Sequence, residues 1–466
     1  MRATNPATEE VIADYPEHAS AEVERRLAAA GEAFASWRRT SFDERAALTR
    51  AAAGVLRKRS AEFARIMALE MGKPVVGGEQ EVEKCAACLD HYADRAADYL
   101  TEQAIASDAD RSYVRFDPLG VVFAVMPWNF PFWQVVRFAA PALMAGNVGV
   151  LKHAENVPGC ALALEAVFAE AGFPPGVFTT LLIDRKDAEA VIKHPAVRAV
   201  TLTGSERAGQ AVAAQAGGVL KKCVLELGGS DPFIVLKDAD IPAVAKKAAE
   251  ARCINSGQSC IAAKRFIVEA PAYAEFVEAM AGAMWDMKVG DPLDRGTQVG
   301  PLARADLRQT LEHQVVASVA AGAKLAEGGT RPGSRGYYYP PTVLADVTPG
   351  MPAFDEETFG PVAAVVKADD AAHTVRLANA SRYGLGASVW TADLDRAEQL
   401  AADLDSGCVF VNGIVKSDPR LPFGGVKASG YGRELAAFGI REFVNAKTVW
   451  AKRAAAAQQR GATSAE

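Results

Sequence analysis

Residues 253–265 read CINSGQSCIAAKR, and Cys260 in this run has the setting of a nucleophile. A thiolate is the most nucleophilic side chain near neutral pH, and Gly257-Gln258-Ser259 lets the backbone turn sharply and open the sulfur to a carbonyl carbon. Free cysteine is also among the residues most often buried as a small hydrophobe, so the residue type alone decides nothing. Its company counts: Glu226 in CVLELGG, Asn129 in PWNFP and Glu357 in EETFGP are each a partner that such an attack needs. Glu226 is a general base whose apolar surroundings raise its pKa toward neutrality, or else a buried, hydrogen-bonded glutamate. Asn129 is an amide donor for an oxyanion, or else a turn residue between Trp128 and Phe130.

The elements that must position these residues follow from hydrophobic periodicity. From Gly120 onward short apolar runs alternate with helical segments: VVFAVMPWN, NVGVLKH, VFTTLLI, AVRAVTLTG and KKCVLELGG. Strand alternating with helix predicts a parallel, doubly wound sheet with ligands at the carboxyl ends of its strands. Asn129, Lys152, Gly204 and Glu226 each directly follow such a run. A second alternating series starts past Pro232 with FIVL, RFIVEA and GCVFVNG, so the fold class is α/β with two doubly wound domains and a cleft between them. Residues 20–101 read as helical cladding, interrupted at Gly72-Lys73-Pro74 and Gly77-Gly78. RSYVRFDPL and REFVNAKTVWAK alternate as strands without a local hairpin partner. The last ten residues, 457–466, read as a disordered tail.

The chain has 466 residues, 50% of them hydrophobic, which is enough for two or three domains. Its net charge of −6 is dispersed, without the basic footprint that nucleic acid requires. No apolar run is long enough to span a bilayer and the N-terminus has no leader pattern, so a cytoplasmic location is expected. Seven cysteines, an odd number, fit a reducing compartment. Cys85 and Cys88 lie in a segment of helical spacing and read as core, and nothing in the sequence suggests a metal site.

In order along the chain, PWNFP, LKHAEN, TGSERAG, LELGG, GQSC, EETFGPV and PFGGVKASGYGRE make the sequence resemble an aldehyde dehydrogenase, more narrowly the short bacterial succinate semialdehyde dehydrogenases. The likeness covers nearly the whole chain. It implies that Cys260 attacks the aldehyde, that Asn129 and the Cys260 N–H hold the oxyanion, and that Glu226 is the base. No GxGxxG is present, and the dinucleotide would instead meet the strand-to-helix turn at Gly204, Ser205 and Gly209. Lys152 and Glu155 would hold the adenosine ribose, Glu357 and Phe359 the nicotinamide side, with Pro127, Trp128 and Leu227 completing the cofactor set. A carboxylate at Glu155 accepts a 2′-hydroxyl and repels a 2′-phosphate, so NAD is expected over NADP.

On the substrate side the likeness assigns Trp133, Arg137 and Ser417 to the distal carboxylate, with Arg420 as a competitor; an internal carboxylate could also account for Arg137. Ala262 stands where many relatives carry a second cysteine, so no disulfide switch is expected. The implied domains are a dinucleotide-binding unit of 1–99, 119–228 and 425–440, a catalytic unit of 229–424, and oligomerisation strands at 100–118 and 441–456 that would build a homodimer or a dimer of dimers. The competing activities are oxidation of a broader or different aldehyde such as glutarate semialdehyde, a coenzyme A-acylating dehydrogenase, which Glu226 disfavours, and a cysteine hydrolase or acyl transferase without a nicotinamide.

Overall fold

A computed structural model describes residues 1–330, 333 and 335–453; the expected disordered tail at 457–466 lies outside these. Four helices, Ser20–Trp37, Phe42–Lys58, Ser60–Met71 and Val75–Tyr99, clad the first half. The sequence predicts a break at Gly77-Gly78, yet the last helix runs through both. The reason is packing: a Cβ on Gly78 would sit 2.9 Å from the Ala64 Cα, so the glycine lets two helices approach closely. Cys85 and Cys88 are buried in the same helix, and burial pushes both thiols up.

The first large sheet has five parallel strands in the spatial order Lys222–Glu226, Val197–Thr203, Val121–Met126, Val148–His153 and Phe178–Thr180. Gly430–Tyr431 adds an antiparallel edge against Lys222–Glu226. Helices Ser20–Trp37 and Trp133–Met144 both pack on Val148–His153, all six residues of which are buried. That is why the run reads as apolar throughout instead of alternating. After Phe178–Thr180 the chain returns to the other side of Val121–Met126, so the strand order reverses between Val121–Met126 and Val197–Thr203. A crevice for ligands opens at the carboxyl ends of strands at such a reversal.

The second large sheet has the order Lys324–Glu327, Thr342–Ala345, Val362–Ala368, Arg265–Glu269, Pro232–Val235, Gly386–Trp390 and Cys408–Val411, parallel except for its first strand. Glu226 ends a strand of the first sheet and Pro232 begins one of the second. The short link sets the carboxyl edge of one sheet against the amino edge of the other. Cys260 precedes Arg265–Glu269 and so sits on that amino edge.

The two isolated alternating segments find each other within the chain. Arg111–Pro118 pairs antiparallel with Val444–Ala451 along its whole length, and Gln103–Ala104 adds a third strand. No described helix is long and apolar enough to cross a membrane.

Candidate active site

The loop carrying Cys260 is held in an unusual path. Asn255, Ser256 and Gly257 occupy the left-handed region in succession, at φ 53°, 57° and 76°. A Cβ on Gly257 would lie 2.2 Å from the carbonyl carbon of Gly360, so only glycine fits there. Side chains compensate the strain: Ser256 Oγ accepts from Gly300 N at 2.8 Å, and Asn255 Nδ2 donates to the Asn129 carbonyl at 2.7 Å.

Two fully buried cations grip the loop's carbonyls. Arg252 donates to the carbonyl oxygens of Gly257 at 2.7 Å and Ala263 at 2.9 Å, and Lys264 Nζ to those of Ser259, Cys260 and Ala262 at 2.9–3.1 Å. With the carbonyls held this way, the Cys260 N–H donates to no described residue. Asn129 is fixed beside it: its Nδ2 donates to the Gln258 carbonyl at 3.0 Å and its Oδ1 accepts from Gln134 Nε2 at 3.1 Å. That leaves one amide hydrogen of Asn129 and the Cys260 N–H without an acceptor among the described residues, two donors of the kind that can hold an oxyanion.

A cavity of about 360 Å³ opens at the strand reversal. Pro127, Trp128 and Asn129 line it after one strand and Gly204 and Ser205 after the next, with Leu227, Cys260, Glu357 and Phe359 opposite. Gln134, Thr203, Gly228, Arg304 and Leu307 complete the wall; Thr203 and Gly228 stand in the TGSERAG and LELGG motifs, and the other three carried no signal in their local sequence. The Trp128 and Phe359 rings meet edge to face at 5.7 Å. Ser205 caps helix Glu206–Gly217 by accepting from Ala208 N at 3.4 Å, which leaves the first N–H groups of that helix facing outward. Gly209 is not in the cavity wall: a Cβ there would lie 2.5 Å from Leu227 Cδ2, so its role is to bring this helix down onto the sheet. Glu357 Oε1 accepts from Gly229 N at 3.0 Å and lies 3.7 Å from Lys264 Nζ, and burial raises its pKa against the pull of that lysine. The turn with free N–H groups, the apolar walls and the flanking carboxylate suit a dinucleotide.

Lys152 and Glu155 also lie outside this cavity, at the end of the neighbouring strand. Lys152 is buried with its Nζ 4.0 Å from Glu155 Oε1, whose carboxylate is half-exposed and also accepts from Arg185 N at 3.3 Å.

Glu226 is buried, and neither of its carboxylate oxygens has a hydrogen-bond partner among the described residues. Burial raises its pKa well above the ordinary value, the Glu434 carboxylate adds to the rise, and Arg137 and Arg433 oppose it. Cys260 is half-buried, and burial pushes its thiol up to about 12, with Arg137 the foremost opposing charge. Burial thus favours the neutral form of both groups, and an attack by Cys260 Sγ needs an acceptor for the sulfur's proton. Asn129→Ala, which removes one of the two unpaired donors, is expected to cost roughly a hundredfold in kcat with binding of the dinucleotide unchanged, measured by steady-state kinetics and by fluorescence titration.

Of the three residues assigned to a substrate carboxylate, Trp133 and Ser417 meet: Trp133 Nε1 donates to Ser417 Oγ at 2.9 Å. Arg137 is placed differently. Its guanidinium is ion-paired with Glu434, reaches Thr203 Oγ1 at 3.4 Å and lies 4.9 Å from the centre of the Phe423 ring. Arg420 is exposed and paired with Asp418 at 2.6 Å. Glu434 stands at the end of the PFGGVKASGYGRE motif, but only the fold reveals it as the ion-pair partner of Arg137 and a like charge acting on Glu226.

The chain matches the aldehyde dehydrogenase family model over residues 1–449. It is 51% identical over 446 residues to a probable succinate-semialdehyde dehydrogenase [NADP(+)] of Synechocystis, covering 96% of this chain and 98% of that one. A succinate-semialdehyde dehydrogenase [NADP(+)] of Mycobacterium leprae is 50% identical, with the same two coverages. Among solved structures, a succinic semialdehyde dehydrogenase from Streptococcus pyogenes in complex with NADP+ superposes with a TM-score of 0.95 at 36% identity, over 97% of this chain and 100% of that one. A cysteine on a cation-braced loop, facing a crevice at a strand reversal, is thus set in a chain that belongs to the aldehyde dehydrogenase family.

Proposed function

We propose that this enzyme oxidises succinate semialdehyde to the dicarboxylic acid through a covalent intermediate on Cys260. The observation that carries the reading is the one cavity that Cys260 and Asn129 share with Trp128, Gly204, Ser205, Leu227, Glu357 and Phe359. Cys260 Sγ adds to the carbonyl carbon as its proton passes to the ionised Glu226 carboxylate, and the Cys260 N–H and the Asn129 amide hold the oxyanion. Ser205, Trp128 and Phe359 would hold the dinucleotide, with Glu155 and Lys152 on its adenosine ribose, and it would supply the acceptor for the hydride that leaves this carbon. Collapse of the oxyanion leaves a thioester on Sγ. Glu226, once deprotonated, takes a proton from water, the hydroxide adds to the thioester and Cys260 departs as the acid is released. The dinucleotide side is assigned to 1–99, 119–228 and 425–440 and the cysteine side to 229–424, with the strands at 100–118 and 441–456 serving assembly into a homodimer or a dimer of dimers.

The relatives' names specify NADP(+). We read this chain as preferring NAD because the half-exposed Glu155 carboxylate would oppose a 2′-phosphate more than Lys152, already 4.0 Å from it, would attract one. Steady-state assays with succinate semialdehyde, glutarate semialdehyde and acetaldehyde, each with NAD and NADP, test both parts. The highest kcat/KM is expected for succinate semialdehyde with NAD, and Glu155→Ser should shift the cofactor ratio toward NADP by about tenfold or more, the effect of one close like charge. Equal efficiency with both cofactors removes the Glu155 assignment, and a preference for acetaldehyde removes the substrate.

A further inference from the structure

The turn that carries Asn129 joins strand Val121–Met126 to helix Trp133–Met144, and buried side chains from elsewhere in the chain hold its backbone. Asn255 Nδ2 donates to the Asn129 carbonyl at 2.7 Å. His153 Nε2 donates to the Pro131 carbonyl at 2.9 Å; Ala154 N donates to Nδ1 of the same ring at 2.9 Å, and burial lowers the ring's pKa to about 4, so the neutral imidazole carries its proton on Nε2. Lys73 Nζ lies 3.9 Å from the centre of the Phe130 ring.

The start of the helix needs help of this kind. Its N-cap residue, Phe132, has no side chain that can cap, and the first N–H groups of a helix have no acceptor within it. Glu81, from helix Val75–Tyr99, supplies one: its Oε1 accepts from the N–H groups of Phe132 and Trp133, each at 2.9 Å. Its Oε2 is ion-paired with Lys73. Glu81 and Lys73 are 4% and 2% exposed, and neither lines the cavity that Cys260 faces. A buried pair of this sort adds little stability, since the cost of desolvating two charges takes back most of their attraction. What it adds is direction. With Oε2 held by Lys73, Oε1 is fixed in place, and the first turn of the helix is registered against it. Gln134, the second residue of that helix, carries the register into the site, because its Nε2 donates to Asn129 Oδ1 at 3.1 Å.

We propose that Glu81, oriented by Lys73, is a positioning residue for Asn129: it fixes the first turn of helix Trp133–Met144 and, through Gln134, the amide that holds the oxyanion. This rests on the reading of Asn129 as an oxyanion donor. The acceptor on the two N–H groups does the positioning, and the charge of the pair serves only to aim it.

The test uses two variants whose expected effects cross. Glu81→Asp keeps the charge pair and withdraws the acceptor from the helix by one carbon–carbon bond. Lys73→Met combined with Glu81→Gln removes both charges and keeps the acceptor. Glu81→Asp is expected to lower kcat about tenfold, within the roughly hundredfold ceiling set by Asn129→Ala, since a misplacement of about 1 Å can cost that much. The double variant should recover kcat to within about threefold of the wild type. Fluorescence titration should give an unchanged dinucleotide affinity in both. The decisive measurement repeats Glu81→Asp in the Asn129→Ala background, where it should cost nothing further in kcat because the group it positions is gone. A full loss in that background shows that Glu81 acts on the fold at large and overturns the proposal. Wild-type kcat in Glu81→Asp overturns it too, as does a double variant impaired as much as Glu81→Asp, which would make the charge pair itself the cause. If Asn129→Ala alone leaves kcat unchanged, the oxyanion reading falls and the role of Glu81 with it; an impaired Asn129→Ala beside an additive Glu81→Asp removes the role of Glu81 and leaves that reading standing.

Discussion

Cys260→Ser is expected to lose roughly four to six orders of magnitude in turnover, the scale seen when a nucleophile is removed from a covalent mechanism. Serine keeps the size and polarity of the side chain, and the loop has no reason to move, since Arg252 and Lys264 hold it by backbone carbonyls and Ser256 and Asn255 brace it from outside the nucleophile. What is lost is chemical. A hydroxyl has a far higher pKa than a thiol, and burial already pushes the Cys260 thiol up to about 12. Burial raises the pKa of Glu226, and even so a carboxylate takes a proton far less readily from an alcohol than from a thiol. Dinucleotide affinity should be retained, because the turn at Ser205 and the aromatic walls are untouched. Intact-mass spectrometry after mixing with substrate and cofactor should find an acylated wild type and an unmodified variant. Substantial turnover by Cys260→Ser would show that the sulfur is not the attacking atom.

Most of this crevice could be read along the chain because its parts are local. Asn129 and Gly204 come just after strands and Glu226 ends one, and a doubly wound sheet binds its ligands outside the carboxyl ends of its strands. Gly257 and Ser205 likewise announce themselves by type, one where no side chain fits and one as a helix cap. The polar interior was not readable in this way. The partner of Arg137 is Glu434 and that of Lys84 is Ser417, contacts that join residues hundreds of positions apart, and nothing in the spacing of a helix tells which of several carboxylates will meet a buried guanidinium. Gly77-Gly78 shows the opposite failure. Glycine propensity argues for a break, but close packing on Ala64 is worth more than the backbone entropy lost, and the helix continues.

Glu226→Gln is expected to lower kcat by on the order of a thousandfold, and its pH dependence separates a base from a merely buried acid. The carboxyl is held neutral by burial, and Glu434 beside it disfavours a second negative charge, so its pKa stands well above 4.5. Only the ionised form can take a proton from water or from Cys260. Wild-type turnover should therefore rise as pH climbs through that raised pKa, and the glutamine variant should lack this limb while accumulating a thioester visible by intact mass. Stability moves in the opposite sense. Because the folded protein binds this proton more tightly than the unfolded chain, Glu226 contributes no penalty below its unfolded pKa and a growing one as pH rises toward its folded pKa. Glutamine cannot ionise, so the variant should equal the wild type in Tm near pH 4 and exceed it at higher pH. A variant that is less active and also less stable at every pH, with the alkaline limb intact, would mark Glu226 as a packing residue and leave deacylation to another group.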